Sequence, residues 1–231
     1  WISLKQWQKC IQRDISLSDF AGTECVYGLD LATKLDVTAA VRVFWRPDAD
    51  NVLHYYVFPE FWLPEDTVQA SRNSQYQGWA NSGLFHLSPG SVTDYNDIGR
   101  YLMTDTRDYQ CLGVGYDPWN CTQLAQTLSA EGIEMYEVIQ GHKTLSEPMK
   151  FVEQLSMQNR IHFDGNPVFL WMLTNVTVKP DRNDNIYPRK ERNENKIDGV
   201  FAMLSAFYII MKRDIEHTWQ DWQEDPEPVF I

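Results

Sequence analysis

The sequence predicts an α/β protein: a mixed sheet, an antiparallel meander followed by parallel strands, with helices on both faces. Three observations lead there. Two alternating runs flank a tight connection between residues 26 and 45, and a third run follows after a turn, as in an antiparallel meander. Further on, an apolar strand, a helix and a second strand are joined by short loops, the pattern of a crossover unit that makes parallel pairs. No repeat, low-complexity stretch or long linker divides the 231 residues. One domain with a sizeable core is therefore expected over 1–213, followed by an acidic, aromatic tail over 214–231.

In chain order, residues 3–13 read as a helix capped by Ser3, with Trp7, Cys10 and Ile11 along one face. Residues 14–23 read as a loop. In 26–31, Val26, Gly28 and Asp30 share one face of a strand while Tyr27, Leu29 and Leu31 share the other. Strands over 37–45 and 52–58, around a turn built on Pro47, Asp48 and Asp50, complete the meander. Pro64, Glu65 and Asp66 open a helix through the 70s, and 84–87 is a short extended piece. Then come a helix over 94–108, a strand over 111–116, a helix over 118–130, a strand near 133–139 and a helix from 147 to about 159. Residues 176–179 and 186–187 are the arms of a hairpin around a turn. A long helix runs from about 195 to 212, with Ile197, Val200, Phe201, Leu204, Tyr208 and Met211 at core spacing.

A hydrophobic content of 43% and nine tryptophans argue for a packed globular chain. No apolar run approaches the roughly 18–20 residues that span a bilayer, and no signal-peptide pattern opens the chain. A first residue of Trp1 rather than Met suggests a piece of a longer chain. The four cysteines show no CxxC pairing and no zinc-like spacing with the five histidines. Cys25 and Cys111 lie in apolar contexts, so reduced core thiols and a cytoplasmic setting are expected. A Gly-rich phosphate loop is lacking, which excludes ATP hydrolysis by that device. The net charge of −12 argues against a general DNA-coating surface but leaves local DNA contact open.

Carboxylates stand where elements meet. Asp30 conflicts with strand propensity. On a central strand its charge is costly without a cation or donors opposite it; on an edge strand it is merely solvated. Asp117 is either a metal ligand or the helix N-cap before Pro118. Asp198 is either the acid of a first turn capped by Asn195, or a ligand lowered onto the sheet by the small Ala202 and Ser205 on its face. Asp36 either supports a second metal or caps the turn. Together, a carboxylate on the first strand, one at the end of its parallel neighbour and one on the closing helix converge in the crevice at the strand ends. Carboxylates without thiolate or imidazole partners select Mg²⁺ or Mn²⁺. Two such ions about 4 Å apart can activate a water and stabilise the leaving oxygen of a phosphodiester.

Gly28-Leu29-Asp30-Leu31-Ala32 with Asp36-Val37-Thr38-Ala39, then Tyr116-Asp117-Pro118-Trp119-Asn120, then Lys196-Ile197-Asp198-Gly199-Val200-Phe201-Ala202 resemble the large terminase subunit of tailed bacteriophages. Asp164-Gly165-Asn166-Pro167 through Asn175-Val176 is also similar to that family's C-terminal half. The resemblance covers roughly residues 1–212. It implies a nuclease domain of ribonuclease H-like fold that cuts concatemeric viral DNA during packaging into the procapsid. It carries the family's metal-binding acids onto Asp30, Asp117 and Asp198, with Asp36 accessory, and implies two Mg²⁺ or Mn²⁺ ions in the active complex. The implied partners are double-stranded DNA, the ATPase domain of a full-length chain, the portal protein and the small terminase subunit. It also implies a monomeric isolated domain, no membrane, and a place in the host cytoplasm at the procapsid portal. Lys179, Arg182, Arg189, Lys190, Arg192 and Lys196 are the basic cluster, which either tracks DNA phosphates near the metal or forms a solvated loop. Lys196 could instead screen the acids directly. The competing reading is a catalytically silent docking module whose tail residues Trp219, Trp222 and Phe230 bind the portal or a neighbouring subunit.

Overall fold

The computed structural model describes residues 1–32, 36–71, 73–192 and 194–214, with the backbone alone at Asn120. The expected tail, Asp214 apart, lies outside the described residues. β1 (Glu24–Asp30), β2 (Thr38–Pro47) and β3 (Leu53–Pro64) form the antiparallel meander. Asp48 Oδ1 builds the turn between β2 and β3 by accepting the N–H groups of Asp50 and Val52, at 2.9 Å each. β5 (Gln110–Tyr116) runs parallel to β1, and β6 (Met135–Glu137) parallel to β5. β4 (His86–Ser88) and β7 (Ile161–Phe163) both run parallel to β3, on the two halves of its outer edge. The strand order β4-β3-β2-β1-β5-β6 puts β1 inside the sheet. The expected mixed sheet is present, and Asp30 does not stand on an edge strand.

Helices cover both faces. α8 (Asp198–Lys212) crosses β1, β2 and β5, backed by α6 (His142–Met157) and α7 (Pro167–Asn175). On the other face α4 (Tyr95–Asp108) and α5 (Pro118–Ala130) pack on the strands. β1 alternates between the layers as its sequence predicts: Val26 joins the α8 core, Tyr27 and Leu29 the α4–α5 core. Gly28 and Gly115 are register partners beneath α8. A Cβ on Gly28 would run into the Ala202 carbonyl oxygen and stand 2.7 Å from Ala206 N; one on Gly115 would stand 2.7 Å from Ser205 O. Two facing glycines therefore let the helix lie against the strand backbones.

Several boundaries differ from expectation, each through a contact made at long range. α1 (Leu4–Lys9) keeps its Ser3 cap, which accepts from Gln6 N at 3.3 Å, but stops short of residue 13. Ile11 instead bridges to Phe163 of β7, so pairing overrides helical spacing. The loop at 14–23 holds a 3₁₀ turn (Leu17–Phe20) that stacks Phe20 on Phe44. β3 runs on to Pro64 because β4 gives its second half a partner. The helix expected from Pro64 is consequently two shorter ones, α2 (Glu65–Ala70) and α3 (Gln75–Asn81). α6 begins at His142 and carries Pro148 inside it. β7 and α7 were not expected, and the hairpin of β8 (Thr177–Val178) and β9 (Pro188–Arg189) closes later than 186–187. At α8, Ile197 holds the cap position without a side-chain bond, so Asn195 does not cap it. Val200 and Leu204 are buried as expected, but Met211 is exposed. Ala202, Ser205, Ala206 and Ile209 are buried too, making α8 apolar on nearly every side.

One buried cation was also not foreseen. Arg42 on β2 pairs with Glu60 at 2.7 Å and with Asp105 of α4 at 2.8 Å. Tyr27 donates to the same Asp105 at 2.6 Å, so α4 is tied to three strands through one fully bonded network.

Candidate metal centre

Asp30 is the last residue of β1 and pairs with Ala39 of β2. Leu29 pairs with Tyr116 of β5, so Asp117, the next residue, emerges beside Asp30 where the two parallel strands end. Asp117 does cap α5, accepting from Trp119 N at 3.2 Å ahead of Pro118. Asp198 opens α8 and arrives at the same edge because that helix rests on Gly28 and Gly115. Asp36, in the β1–β2 connection, accepts from Val37 N at 2.9 Å and pairs with Lys196 Nζ at 2.7 Å. It thus caps its own turn and also stands among the other acids.

Their electrostatics describe one crowded cluster. Burial pushes Asp30 from 3.8 up to about 7, and the charges of Asp117 and Asp36 add to that. Gln140 opposes the rise by donating Nε2–H to Asp30 Oδ1 at 3.0 Å, and Lys190 opposes it with its charge. Burial likewise raises Asp198 well above the carboxylate range, helped by Asp30 and Asp36, while its own backbone N–H and Lys196 hold it back. Asp198 Oδ2 is buried with no hydrogen-bond partner. Two tyrosines mark the walls. Burial raises Tyr76 of α3, with Asp198 and Asp36 adding to it. Burial raises Tyr187 in the β8–β9 hairpin, with Asp30 and Asp117 adding to it.

Asp30 is therefore within electrostatic reach of the other three predicted acids, and Asp36 of Asp198 as well. Among the described residues, however, no three His, Cys, Asp or Glu side chains stand close enough to share one ion, so this is not a finished ligand shell. A divalent cation nevertheless fits: it would partner the orphaned Asp198 oxygen and offset the burial, and with it the repulsion, that drives Asp30 toward neutrality. An all-oxygen donor set suits a hard ion.

Of the basic residues, Lys190 and Lys196 exert the largest cationic effects on Asp30 and Asp198. Lys179, Arg182, Arg189 and Arg192 are exposed on the hairpin and the segment after it. The hairpin is pinned to α6 by Ile186 N donating to Ser146 Oγ at 3.1 Å and by Tyr187 stacked on His142. Gln140 was missed from the sequence. The available signal was an amide just past a parallel strand, two strands from Asp30, at the edge where such sheets bind ligands.

The sheet, its helix layers and this acid-lined edge define a protein of the ribonuclease H-like class. The chain belongs to the family described as the terminase large subunit, endonuclease domain, which matches residues 1–214. It is 32% identical to Protein YmfN of Escherichia coli (strain K12) over 96% of its own length and 50% of that protein's. The large terminase of bacteriophage HK97 is similar in structure, with a TM-score of 0.77 and 26% identity over 90% of this chain and 43% of that one. The large terminase nuclease of thermophilic phage G20c shares the fold at a TM-score of 0.51 and 14% identity, over 79% of this chain and 80% of that one. The G20c nuclease has also been solved with bound magnesium. The chain thus spans about half the length of YmfN and of the HK97 terminase.

Proposed function

We propose that residues 1–213 are a metal-dependent endonuclease domain, followed by a tail over 214–231, that cuts concatemeric double-stranded viral DNA during genome packaging by two-metal phosphodiester hydrolysis. The carrying observation is Asp198 Oδ2, buried and unpartnered in a cluster of mutually repelling acids. A docking module gains nothing from so unfavourable an arrangement, whereas a cation site needs it. The magnesium in the phage G20c nuclease supports Mg²⁺ here, and Mn²⁺ suits the same oxygens.

In this reading Asp30, Asp117 and Asp198 would hold metal, with Asp36 an accessory ligand for a second ion. Bound there, the ions would supply an activated water and neutralise charge on the leaving oxygen. Gln140 holds one oxygen of Asp30 and leaves the other for a ligand. Lys196 neutralises Asp36 until an ion takes its place. Lys190, with Lys179, Arg182, Arg189 and Arg192, supplies cations for DNA phosphates beside the acids. The partners would be an ATPase domain of the full-length chain, the portal and the small terminase subunit, in the host cytoplasm at the procapsid. Alone, the domain would be monomeric and, at a net charge of −12, a weak and salt-sensitive nuclease.

The test is cleavage of supercoiled plasmid in Mn²⁺, Mg²⁺ and EDTA, beside Asp30→Ala. Nicking and linearisation that need metal and vanish in the variant are expected. No cleavage in any metal by folded protein would overturn the reading.

A further inference from the structure

Two large apolar side chains stand in solvent along the same sheet edge as the acids. Trp119 is 87% exposed and Ile139 67%. Every other described tryptophan is buried or partly buried, so Trp119 is the exception. Both are held on stiff supports. Trp119 sits in the first turn of α5 behind Pro118, with its N–H bonded to Asp117. Ile139 lies between Val138, which is buried and donates its N–H to Tyr116 O at 2.8 Å, and Gln140, which is bonded to Asp30. Because Tyr116 pairs with Glu137, the two side chains leave adjacent strand ends. Each is within two residues of a group that is itself in the acid cluster.

Isolated apolar side chains on a surface need no explanation, but two rigid ones flanking a proposed metal site do. A phosphodiester seated at the acids brings its neighbouring sugars and bases to this rim. Lys190 and Lys196 can meet phosphates, whereas an indole and a sec-butyl group match sugar faces and base edges instead. A protein lodged on the rim would have to leave before a duplex could reach the acids.

We infer that Trp119 and Ile139 are an apolar wedge that packs against the sugars and bases of a duplex beside the scissile phosphate. This rests on reading the domain as a DNA-cutting nuclease. The wedge adds grip that a −12 chain otherwise lacks, and it fixes which phosphate lies over the acids.

The experiment uses protein labelled with 5-fluorotryptophan, the Trp119 resonance being the one lost in Trp119→Phe. A 30-base-pair duplex is titrated in Ca²⁺, which allows binding to be read without cleavage. The Trp119 resonance should shift on adding DNA, and Trp119→Ala should weaken duplex affinity about tenfold, the range seen for base–aromatic contacts. Ile139→Ser should weaken it by a smaller factor, and Mn²⁺ affinity should stay at the wild-type value in both. A Trp119 resonance that stays put while DNA binds, wild-type affinity in Trp119→Ala, or no DNA binding at all overturns the inference. Plasmid cleavage separates it from the parent reading. Wild-type cleavage with an unmoved Trp119 sinks the wedge alone; a shifted Trp119 without cleavage in Mn²⁺ or Mg²⁺ sinks the nuclease reading and, with it, the placing of a scissile phosphate.

Discussion

Replacing Asp30 with asparagine should make the metal-free protein more stable at pH 8 while ending cleavage. Asp30 moves from 3.8 in an ordinary chain to about 7 in the fold. At about 1.4 kcal/mol per pKa unit, the ionised form is on the order of 4 kcal/mol less favourable folded than unfolded. The folded protein keeps this proton at pH values where the unfolded chain has lost it. The penalty is therefore absent below about pH 4, grows as pH rises toward 7, and is complete above that. Asparagine is neutral throughout and keeps an oxygen for Gln140 Nε2. The asparagine amide must itself be buried and imperfectly bonded, which offsets part of the gain, so the substitution should recover about 2 kcal/mol of the total. For a domain of this size that raises Tm by about 4–8 °C. Thermal unfolding in EDTA at pH 8 and pH 4.5 reads it directly, with most of the gain gone at the lower pH. An asparagine variant no more stable than wild type at pH 8, or equally favoured at both pH values, would refute the account of the cluster.

Three further outcomes follow from the same geometry. Gln140→Ala removes the donor that orients Asp30 and should weaken Mn²⁺ binding by about tenfold, measured by electron paramagnetic resonance of the free ion; unchanged affinity would show that the bond does not position the ligand. Gly28→Ala pushes a methyl group into the Ala202 carbonyl, so it should cost about 3 kcal/mol or more in urea unfolding, whereas Gly22→Ala, with open space around it but a positive φ, should cost about 1. Neutralising Arg189, Lys190 and Arg192 together should flatten the salt dependence of duplex binding by about 2–3 in the log–log slope; an identical slope would return this segment to a solvated loop.

The elements that positioned the acids were readable because their signals are local. Asp30 interrupts an alternating strand, Asp117 stands at a strand-to-helix junction with Pro118, and small residues follow Asp198 at helical spacing. The rest depended on contacts distant in sequence. β7 is three residues long and exists because β3 offers it a free half-edge, which no pattern in 161–163 announces. α7, with Val168, Phe169, Met172 and Leu173 buried, shows little amphipathic contrast, so its apolar run carried no clear period. Gln140 had only a weak signal, because an amide near a strand end is ordinary until its partner is known. Arg42 went unread because a lone arginine in a strand gains its meaning from Glu60 and Asp105. Among the basic residues, charge clustering did not distinguish Lys190 and Lys196, which act on Asp30 and Asp198, from the others.

The order of the acids along the chain has a consequence for folding. Asp30, Asp36 and Asp117 precede Asp198 in the chain, and the face that holds them stays open until α8 lands on Gly28 and Gly115 and delivers Asp198. A chain interrupted anywhere before residue 198 would hold an unfinished cluster with its central strands uncovered. Covering of the central strands and completion of the acid cluster are thus one folding event.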